Sequence, residues 1–151
     1  SNFKIAITGS NGKSTTAKLL FDILKKKNKD VRLSGNIGRP ILNEKNIKKN
    51  TFFIIEISSY QIEYSKIFKA NFAAILNISN DHLERHGNIK NYTHSKLKLI
   101  YQQNSNDRCF VNLSEDYIKK YIKLKRIDSK IKNIKLKNLN FLKKKFETNI
   151  F

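Results

Sequence analysis

Thr8-Gly9-Ser10-Asn11-Gly12-Lys13-Ser14-Thr15-Thr16 is the stretch from which the fold can be inferred. It follows an apolar run, Phe3 to Ile7, and precedes a helical pattern that begins at Ala17. A strand, a glycine-rich turn, a Lys-Ser pair and a helix in this order are typical of a phosphate-binding loop. The N–H groups of such a turn point at an anion, and the helix dipole favours negative charge there.

Individual residues of this loop have separate expected roles. Gly9 and Gly12 allow backbone conformations that a Cβ would resist. Lys13 can reach the outer phosphates of a nucleotide, and the Ser14 hydroxyl can ligate Mg²⁺. The loop is shorter than the common G-x-x-x-x-G-K-[ST] pattern, because Ile7 stands where the first glycine would fall. The alternative interpretation is a glycine turn before an ordinary helix.

The bulk properties are those of one globular domain. The 151 residues contain no apolar stretch of membrane-spanning length, and the chain does not begin with a signal-peptide pattern. The single cysteine, Cys109, lies in an apolar run, which favours a buried thiol over a nucleophile. A lone buried thiol fits a reducing compartment, so we expect a cytoplasmic protein with no membrane partner.

The charge of the chain is strongly positive. Lysine and arginine total 31 against 12 acidic residues, a formal net charge of +19. A nucleic-acid-binding module would use this charge to neutralise phosphates, and a nucleotide enzyme would use a small part of it at its site. The lysines are spread along the chain rather than gathered in a nucleic-acid motif. We therefore interpret the charge as a compositional bias and do not expect nucleic acid to be the partner.

Apolar runs alternate with helical patterns along most of the chain. Further strands are predicted at Val31 to Leu33, Thr51 to Ile57, Asn71 to Ile78 and Arg108 to Asn112. Helices are predicted from the phosphate loop to about Lys27, from Ser58, from Tyr92 to about Gln103 with Asn91 as its cap, and from Tyr117 to Ile122. The alternation predicts an α/β fold, with a mostly parallel sheet and helices on both faces. From Leu124 onward we expect short strands or hairpins, forming a small antiparallel extension.

Polar groups follow the predicted strands. Glu56 ends a strand that is apolar on both faces, so its carboxylate needs a cation or a hydrogen bond. The alternative role for Glu56 is a structural ion pair. His82 follows the next strand, in a loop that also carries acids and an arginine. Because ligands of open α/β sheets bind beyond the carboxyl ends of the strands, the phosphate loop, Glu56 and His82 together predict one site.

Two further positions are ambiguous from the residues alone. The glycine-rich segment Ser34 to Pro40 is either a connector or a substrate loop with Asn36 as its polar contact. Lys96 shares a helical face with Tyr92 and Ile100, which places a lysine among apolar groups. The simplest explanation is a snorkelling stem with its ammonium in water, and spacing alone favours it.

With these residues in view, the chain resembles the central ATPase domain of the Mur ligases, and within that family the D-glutamate-adding branch. The resemblance covers about Phe3 to Asn112. The motifs that carry it are the phosphate loop, Gly35-Asn-Ile-Gly38, Glu56-Ile-Ser-Ser-Tyr-Gln-Ile-Glu63, Asn77-Ile-Ser-Asn-Asp-His-Leu-Glu-Arg-His86 and Tyr92-Thr-His-Ser-Lys96.

The resemblance implies a role for each matching residue. Ser10 to Thr16 would hold the ATP phosphates, with Lys13 on the outer ones. Ser14 and Glu56 would hold one Mg²⁺, and His82 would hold a second together with Lys96 modified to a carbamate. Contacts to the muramoyl-alanine end of the substrate would come from Asn36, Ser58, Gln61 and His82.

The implied reaction is ATP-driven amide formation in peptidoglycan precursor synthesis. The carboxylate of UDP-N-acetylmuramoyl-L-alanine would attack the γ-phosphate, and D-glutamate would displace phosphate from the acyl phosphate. The family has three domains, so residues 1–151 would be the central one, without the uridine-binding and amino-acid-binding domains. We expect this segment not to form the amide alone.

Three alternatives stay open at this stage. The first is another ligase of the family, such as the diaminopimelate- or lysine-adding enzyme, or a folylpolyglutamate-type ligase. The second is a basic nucleic-acid-binding module built on the lysine-rich second half. The third is a phosphate-loop regulatory module without chemistry, against which Glu56, His82 and Lys96 argue.

Overall fold

The computed structural model describes residues 2–81 and 83–134 of the chain. Its strands are β1 (Phe3–Thr8), β2 (Val31–Gly35), β3 (Phe52–Glu56), β4 (Phe72–Ile75), β5 (Arg108–Val111) and β6 (Lys130–Asn133). Its α-helices are α1 (Lys13–Lys26), α2 (Ser59–Tyr64), α3 (Leu83–His86), α4 (Ile89–Tyr101) and α5 (Asp116–Ile122), and one 3₁₀ turn spans Ile41–Asn43. The predicted strands and helices are thus present with shifts of a few residues at their ends.

One parallel sheet contains all six strands, in the order β2-β3-β1-β4-β5-β6. Strand β1 is central, between β3 and β4, and Ile7 pairs with Glu56 in this register. Strand β2 pairs with the outer side of β3, where Gly35 is level with Glu56. The ends of β1, β2 and β3 therefore reach the same edge of the sheet, which is the edge where the phosphate loop begins.

Two apolar clusters cover the two faces of the sheet. Neighbouring strand residues alternate between them: Phe53 and Ile55 belong to the larger cluster, and Ile54 belongs to the smaller one. Helices α2, α4 and α5 pack on the larger cluster, whereas Ala17 of α1 packs on the smaller. This confirms the expected α/β fold with helices on both faces, because a parallel sheet needs both faces covered.

The structure corrects two details of the predicted elements. Helix α4 is capped by Asn88, whose side-chain oxygen accepts a hydrogen bond from the Asn91 N–H at 2.9 Å. Asn91 is therefore inside the first turn, and its amide donates instead to the His86 carbonyl oxygen at 2.9 Å. The described part of the segment after Leu124 forms β6, which is parallel to β5 rather than antiparallel. The remainder of the expected extension, residues 135–151, lies outside the described residues.

Helix length and composition also bear on membrane insertion. Among residues 2–81 and 83–134, no helix combines the length and apolar character needed to cross a bilayer.

Candidate active site

The phosphate loop joins β1 to α1 through two glycines with positive φ. Gly12 is the N-cap of α1 with φ 78° and ψ 3°, in the left-handed region, and no side chain caps the helix there. Gly9 has φ 157°, and a Cβ on it would lie 3.1 Å from the Cβ of Leu76. The first turn of α1 also contains no acidic residue. The start of α1 therefore has neither a side-chain cap nor an acidic residue, a geometry in which its N–H groups can bind an anion.

The segment just after strand β4 holds this loop in shape. The Ser10 N–H donates to the Asn77 carbonyl oxygen at 3.1 Å. The Asn77 side chain accepts from the Asn11 N–H at 2.8 Å and donates to the Asn11 carbonyl oxygen at 3.1 Å. Sequence analysis placed Asn77 in a motif but gave it no role, since its partner is 66 residues away in the chain.

Lys13 is folded back onto its own loop. Its ammonium donates to the Gly9 carbonyl oxygen at 3.0 Å and to the Ser10 carbonyl oxygen at 2.7 Å. Its Nζ therefore lies above the loop, with its charge shared between two backbone oxygens. Ser14, the next residue, is exposed in the first turn of α1. Both side chains thus lie in the first turn of α1, directly after the glycine turn.

Glu56 is buried at the end of β3, with a relative exposure of 4%. Its Oε2 atom is buried and has no hydrogen-bond partner within the described part of the chain. A carboxylate oxygen left in this way costs free energy unless a cation or a proton satisfies it. The neighbouring backbone fits closely, because a Cβ on Gly35 would lie 2.1 Å from the Glu56 carbonyl oxygen.

Lys96 is also buried, with a relative exposure of 1%. Its ammonium donates to the Gly9 carbonyl oxygen at 3.0 Å and to the Thr8 hydroxyl at 3.4 Å, and lies 4.5 Å from the centre of the Tyr92 ring. The snorkelling explanation is therefore wrong. Burial, followed by repulsion from Lys13, lowers the pKa of Lys96 from 10.5 to about 7, and the Asp81 carboxylate opposes this shift.

One cavity brings several of the predicted residues together. It has a volume of about 290 Å³, and its lining includes Lys13, Asn36, Ser58 and Lys96, which come from four different segments of the chain. Asn36 is held there by its N–H, which donates to the Glu56 carbonyl oxygen at 3.0 Å. The glycine-rich segment that contains Asn36 is thus a wall of the cavity as well as a connector.

Ser58 and Gln61 have a structural role in addition to the predicted substrate contact. Ser58 caps α2 by accepting from the Gln61 N–H at 3.2 Å, and the Gln61 side chain accepts from the Ser58 N–H at 2.9 Å. This reciprocal capping box satisfies two donors of the helix start. Ser58 lines the cavity, whereas Gln61 is not among its lining residues.

Of the predicted metal ligands, Ser14, Glu56 and Lys96 lie within the described residues, whereas His82 lies outside them. Within residues 2–81 and 83–134, no group of three or more His, Cys, Asp or Glu side chains could hold a metal ion. The Glu56 carboxylate and the Ser14 hydroxyl are oxygen groups of the kind that Mg²⁺ accepts as ligands.

Two residues of the site were not predicted from the sequence. The Tyr92 hydroxyl lies 3.2 Å from the Ser10 hydroxyl, and its ring faces Lys96. The His86 ring contacts Tyr92 and Tyr60, and its Nε2 lies 3.1 Å from the Ser59 hydroxyl. The shared helical face of Tyr92 and Lys96 was the available signal for Tyr92. No local sequence pattern indicated the contacts of His86.

Comparisons with known proteins agree with the fold and the motifs. The Mur ligase middle domain matches residues 7–150 of the chain. The UDP-N-acetylmuramoylalanine–D-glutamate ligase of Rickettsia prowazekii is 37% identical over 139 residues, which cover 92% of this chain and 31% of that protein. The protein of the same name from Thermosipho melanesiensis is 44% identical over 121 residues, which cover 78% of this chain and 28% of that protein. The chain thus spans less than a third of the length of these curated relatives.

Solved structures share the architecture at lower identity. The MurF ligase from Thermotoga maritima in complex with ADP is similar with a TM-score of 0.69 and 23% identity, over 87% of this chain and 32% of that chain. FolC from E. coli in complex with DHPP and ADP is similar with a TM-score of 0.60 and 14% identity, over 85% of this chain and 42% of that chain. At these identities the similarity shows the fold alone.

Proposed function

The chain belongs to the Mur ligase family through its middle domain, and from this premise we propose that it is the ATP- and Mg²⁺-binding part of a D-glutamate-adding ligase. The full-length protein would join D-glutamate to UDP-N-acetylmuramoyl-L-alanine, in a cytoplasmic step of peptidoglycan precursor synthesis. The observation that carries the proposal is the cavity shared by Lys13, Asn36, Ser58 and Lys96 beside the phosphate loop.

The loop from Gly9 to Thr16 would bind the nucleotide phosphates. The uncapped N–H groups at the start of α1 would donate to phosphate oxygens. Lys13 would exchange its two backbone carbonyl partners for the outer phosphates, which carry a full negative charge and make stronger hydrogen bonds. The Asn77 hydrogen bonds to Asn11 would keep the loop in the required shape during this exchange.

The residues present fit a Mg²⁺ ion. Glu56 has a buried carboxylate oxygen that lacks a partner among the described residues, and the Ser14 hydroxyl is exposed at the start of α1. These two side chains would hold one ion, and bound Mg²⁺ neutralises the charge that develops on transferring phosphoryl groups. His82, which lies outside the described residues, and Lys96 would hold a second ion.

Lys96 is suited to become a carbamate. Carbamate formation requires the neutral amine, and a pKa of about 7 makes that form abundant near neutral pH. The nitrogen attacks the carbon of CO₂ to form a C–N bond, and one proton leaves to solvent. The product is an anion with two oxygen ligands, which replaces a positive charge that burial disfavours.

The side chains of the cavity would position the acyl acceptor and stabilise the transferring phosphoryl group. The carboxylate of UDP-N-acetylmuramoyl-L-alanine would be oriented by Asn36 and Ser58, which line the cavity that Lys13 also lines. Lys13 would stabilise the negative charge on the phosphoryl oxygens as the carboxylate attacks. The D-glutamate amine would then attack the acyl phosphate and displace phosphate. This chemistry depends on positioning and charge neutralisation rather than on a protein nucleophile.

The proposal places the other two functions of the enzyme outside this segment. We propose that residues 1–151 are a central domain, with a uridine-binding domain before it and an amino-acid-binding domain after it. The relatives are more than three times as long as the part matched here, which supports this division. Efficient amide formation by the segment alone would contradict it.

The test is a ligation assay on the full-length chain. With UDP-N-acetylmuramoyl-L-alanine, ATP and Mg²⁺, we expect D-glutamate to be added in preference to diaminopimelate or L-lysine, with one phosphate released per amide formed. Lys13→Ala should lower kcat by at least about a hundredfold, the usual cost of losing a group that stabilises transition-state charge. Lys18→Ala is the matched control, because Lys18 lies on the same helix and pairs with Asp22 on the exposed face.

Two results would refute the proposal. If another amino acid is added faster than D-glutamate, the chain is a different ligase of the family. If Lys13→Ala and Lys18→Ala have the same activity as the unmodified protein, the phosphate loop is not used as proposed.

A further inference from the structure

Tyr92 lies between the phosphate loop and the buried lysine, and contacts both. It is in the second turn of α4 and is almost completely buried, with a relative exposure of 1%. Its hydroxyl lies 3.2 Å from the Ser10 hydroxyl, and the centre of its ring lies 4.5 Å from the Lys96 ammonium. A single side chain therefore joins a residue that would bind phosphate to a residue that would bind a metal.

The hydrogen bonds of Ser10 indicate which hydroxyl is the donor. The Ser10 Oγ accepts from the Ser79 N–H at 3.0 Å and donates to the Ser79 carbonyl oxygen at 3.3 Å. Because a serine hydroxyl has a single proton, Tyr92 donates the third bond whenever Ser10 donates to Ser79, although the geometry allows either hydroxyl to be the donor. Burial raises the pKa of Tyr92, which keeps its phenol protonated and able to donate. Tyr92 thus adds a second contact from α4 to the loop, besides the bond from Lys96 to the Gly9 carbonyl oxygen.

The ring of Tyr92 makes the second contact. The Lys96 ammonium lies over this ring and donates to the Gly9 carbonyl oxygen at 3.0 Å, so it is held between the ring and the loop. The His86 ring also contacts the Tyr92 ring, with 5.2 Å between the ring centres and 53° between the ring planes. A ring packed in this way cannot turn freely, which fixes the direction in which the Lys96 nitrogen points.

We propose that Tyr92 is a positioning residue of this site: its hydroxyl fixes Ser10 in the phosphate loop, and its ring fixes the nitrogen of Lys96. The inference rests on the proposed function. It adds that nucleotide binding and the placement of Lys96 are coupled through one side chain. The two contacts use different parts of that side chain, so they can be separated by substitution.

The experiment compares Tyr92→Phe, Tyr92→Leu and Tyr101→Phe in the full-length chain. Tyr101 is the matched control, because it also lies on α4 and its hydroxyl donates a single hydrogen bond, to the Tyr121 carbonyl oxygen at 3.2 Å. Tyr92→Phe should raise the ATP dissociation constant about fivefold, the effect of one net hydrogen bond, with a smaller effect on kcat. Tyr92→Leu should also lower kcat at least about tenfold, because it removes the ring that packs against the Lys96 side chain.

A double-mutant cycle keeps the test decisive if Tyr92→Leu does not fold. Ser10→Ala removes the same hydrogen bond as Tyr92→Phe from the other side. The double variant should therefore bind ATP about as weakly as the weaker single variant, rather than with the two losses multiplied. If the role of Tyr92 were purely structural, Tyr92→Phe would lower thermal stability about as much as Tyr101→Phe does. The double-mutant cycle would then show no coupling between Ser10 and Tyr92 in ATP affinity.

Failure of this inference can be distinguished from failure of the proposed function. If the unmodified protein binds ATP and forms the amide, but Tyr92→Phe binds ATP as tightly as Tyr101→Phe, the positioning role is refuted and the ligase function stands. Multiplied losses in the double variant would refute it in the same way. If the unmodified protein does not bind ATP, both proposals fall together.

Discussion

The phosphate loop and the buried Glu56 beside it satisfy their polar atoms in opposite ways. In the loop, the polar groups of Ser10, Asn11 and Lys13 have partners within the protein, several of them on β4 or just after it. Glu56 instead keeps a buried oxygen without a partner among the described residues, and Lys96 is buried against carbonyl and hydroxyl oxygens and a ring.

The difference indicates which part of the site is complete before ligands bind. A loop whose hydrogen bonds are internal can hold its conformation without nucleotide, so little free energy is lost in ordering it on binding. A buried carboxylate oxygen without a partner costs free energy until a cation arrives. We infer that the nucleotide part is preformed, whereas the metal part is completed by the ion and by modification of Lys96.

The largest expected effect concerns Lys96 and pH. The folded-state pKa is lowered from 10.5 to about 7 by burial and by Lys13, against the attraction of Asp81. Between these values the unfolded chain binds a proton that the folded chain does not, so this group makes the free energy of unfolding rise as pH increases from about 7 towards 10.5. Lys96→Met should remove a slope of up to about 1.4 kcal/mol per pH unit.

This effect is measured as the difference in free energy of unfolding between the unmodified full-length chain and Lys96→Met. Urea unfolding at pH 7, 8 and 9 in CO₂-depleted buffer would give that difference without carbamate formation. Lys98→Met is the control, because Lys98 lies on the same helix and donates to the Glu63 carbonyl oxygen at 2.8 Å in an exposed position. Parallel pH profiles for Lys96→Met and the unmodified protein would show that the lysine is hydrated rather than buried.

The next effect concerns Glu56 and magnesium. Glu56→Gln keeps the shape of the side chain but removes its charge, so it should raise the Mg²⁺ concentration needed for half-maximal activity. We expect at least about a tenfold increase, since even the loss of an outer-shell partner costs that much metal affinity. Without Mg²⁺, Glu56→Gln should be no less stable than the unmodified protein, because an amide is easier to bury than a carboxylate.

Titration of Mg²⁺ in the ligation assay and thermal unfolding in EDTA would measure the two quantities. Glu63→Gln, on the exposed side of α2, is the control. An unchanged Mg²⁺ requirement, together with a clear loss of stability in EDTA, would return Glu56 to the structural ion-pair explanation.

The same contrast explains what could be predicted from the sequence. The phosphate loop, the strands and the helix that starts near Ser58 were predicted because each depends on neighbours within a few residues. The Ser10–Tyr92 bond joins residues 82 positions apart, so no local pattern contains it. Spacing placed Lys96 on a face with Tyr92 but did not show how deeply α4 is buried, and the preference for a snorkelling side chain was wrong for that reason.

The N-cap of helix α4 is a second feature that could not be predicted from the residues alone. Asn88 and Asn91 are both suitable caps, and the residues alone do not decide between them. The structure starts the helix at Ile89, two residues after Gly87, whose φ is 76°. Asn88 is therefore the cap, and Asn91 lies inside the helix.

The smallest expected effect tests whether the loop is indeed preformed. Asn77→Ala removes the two hydrogen bonds to Asn11, at 2.8 and 3.1 Å, and leaves the backbone bond from Ser10 to residue 77 in place. Because these side-chain bonds are partly exposed to water, we expect ATP affinity to fall only about three- to tenfold. Isothermal titration with ATP would measure this, with Asn80→Ala in the following exposed loop as the control.

If the loop is preformed, the loss should appear mainly as a less favourable binding entropy, since the variant must order the loop when ATP binds. If Asn77→Ala and Asn80→Ala bind ATP with equal affinity and equal binding entropy, the contacts among Ser10, Ser79 and Tyr92 are sufficient to shape the loop. The two hydrogen bonds between Asn77 and Asn11 would then be redundant.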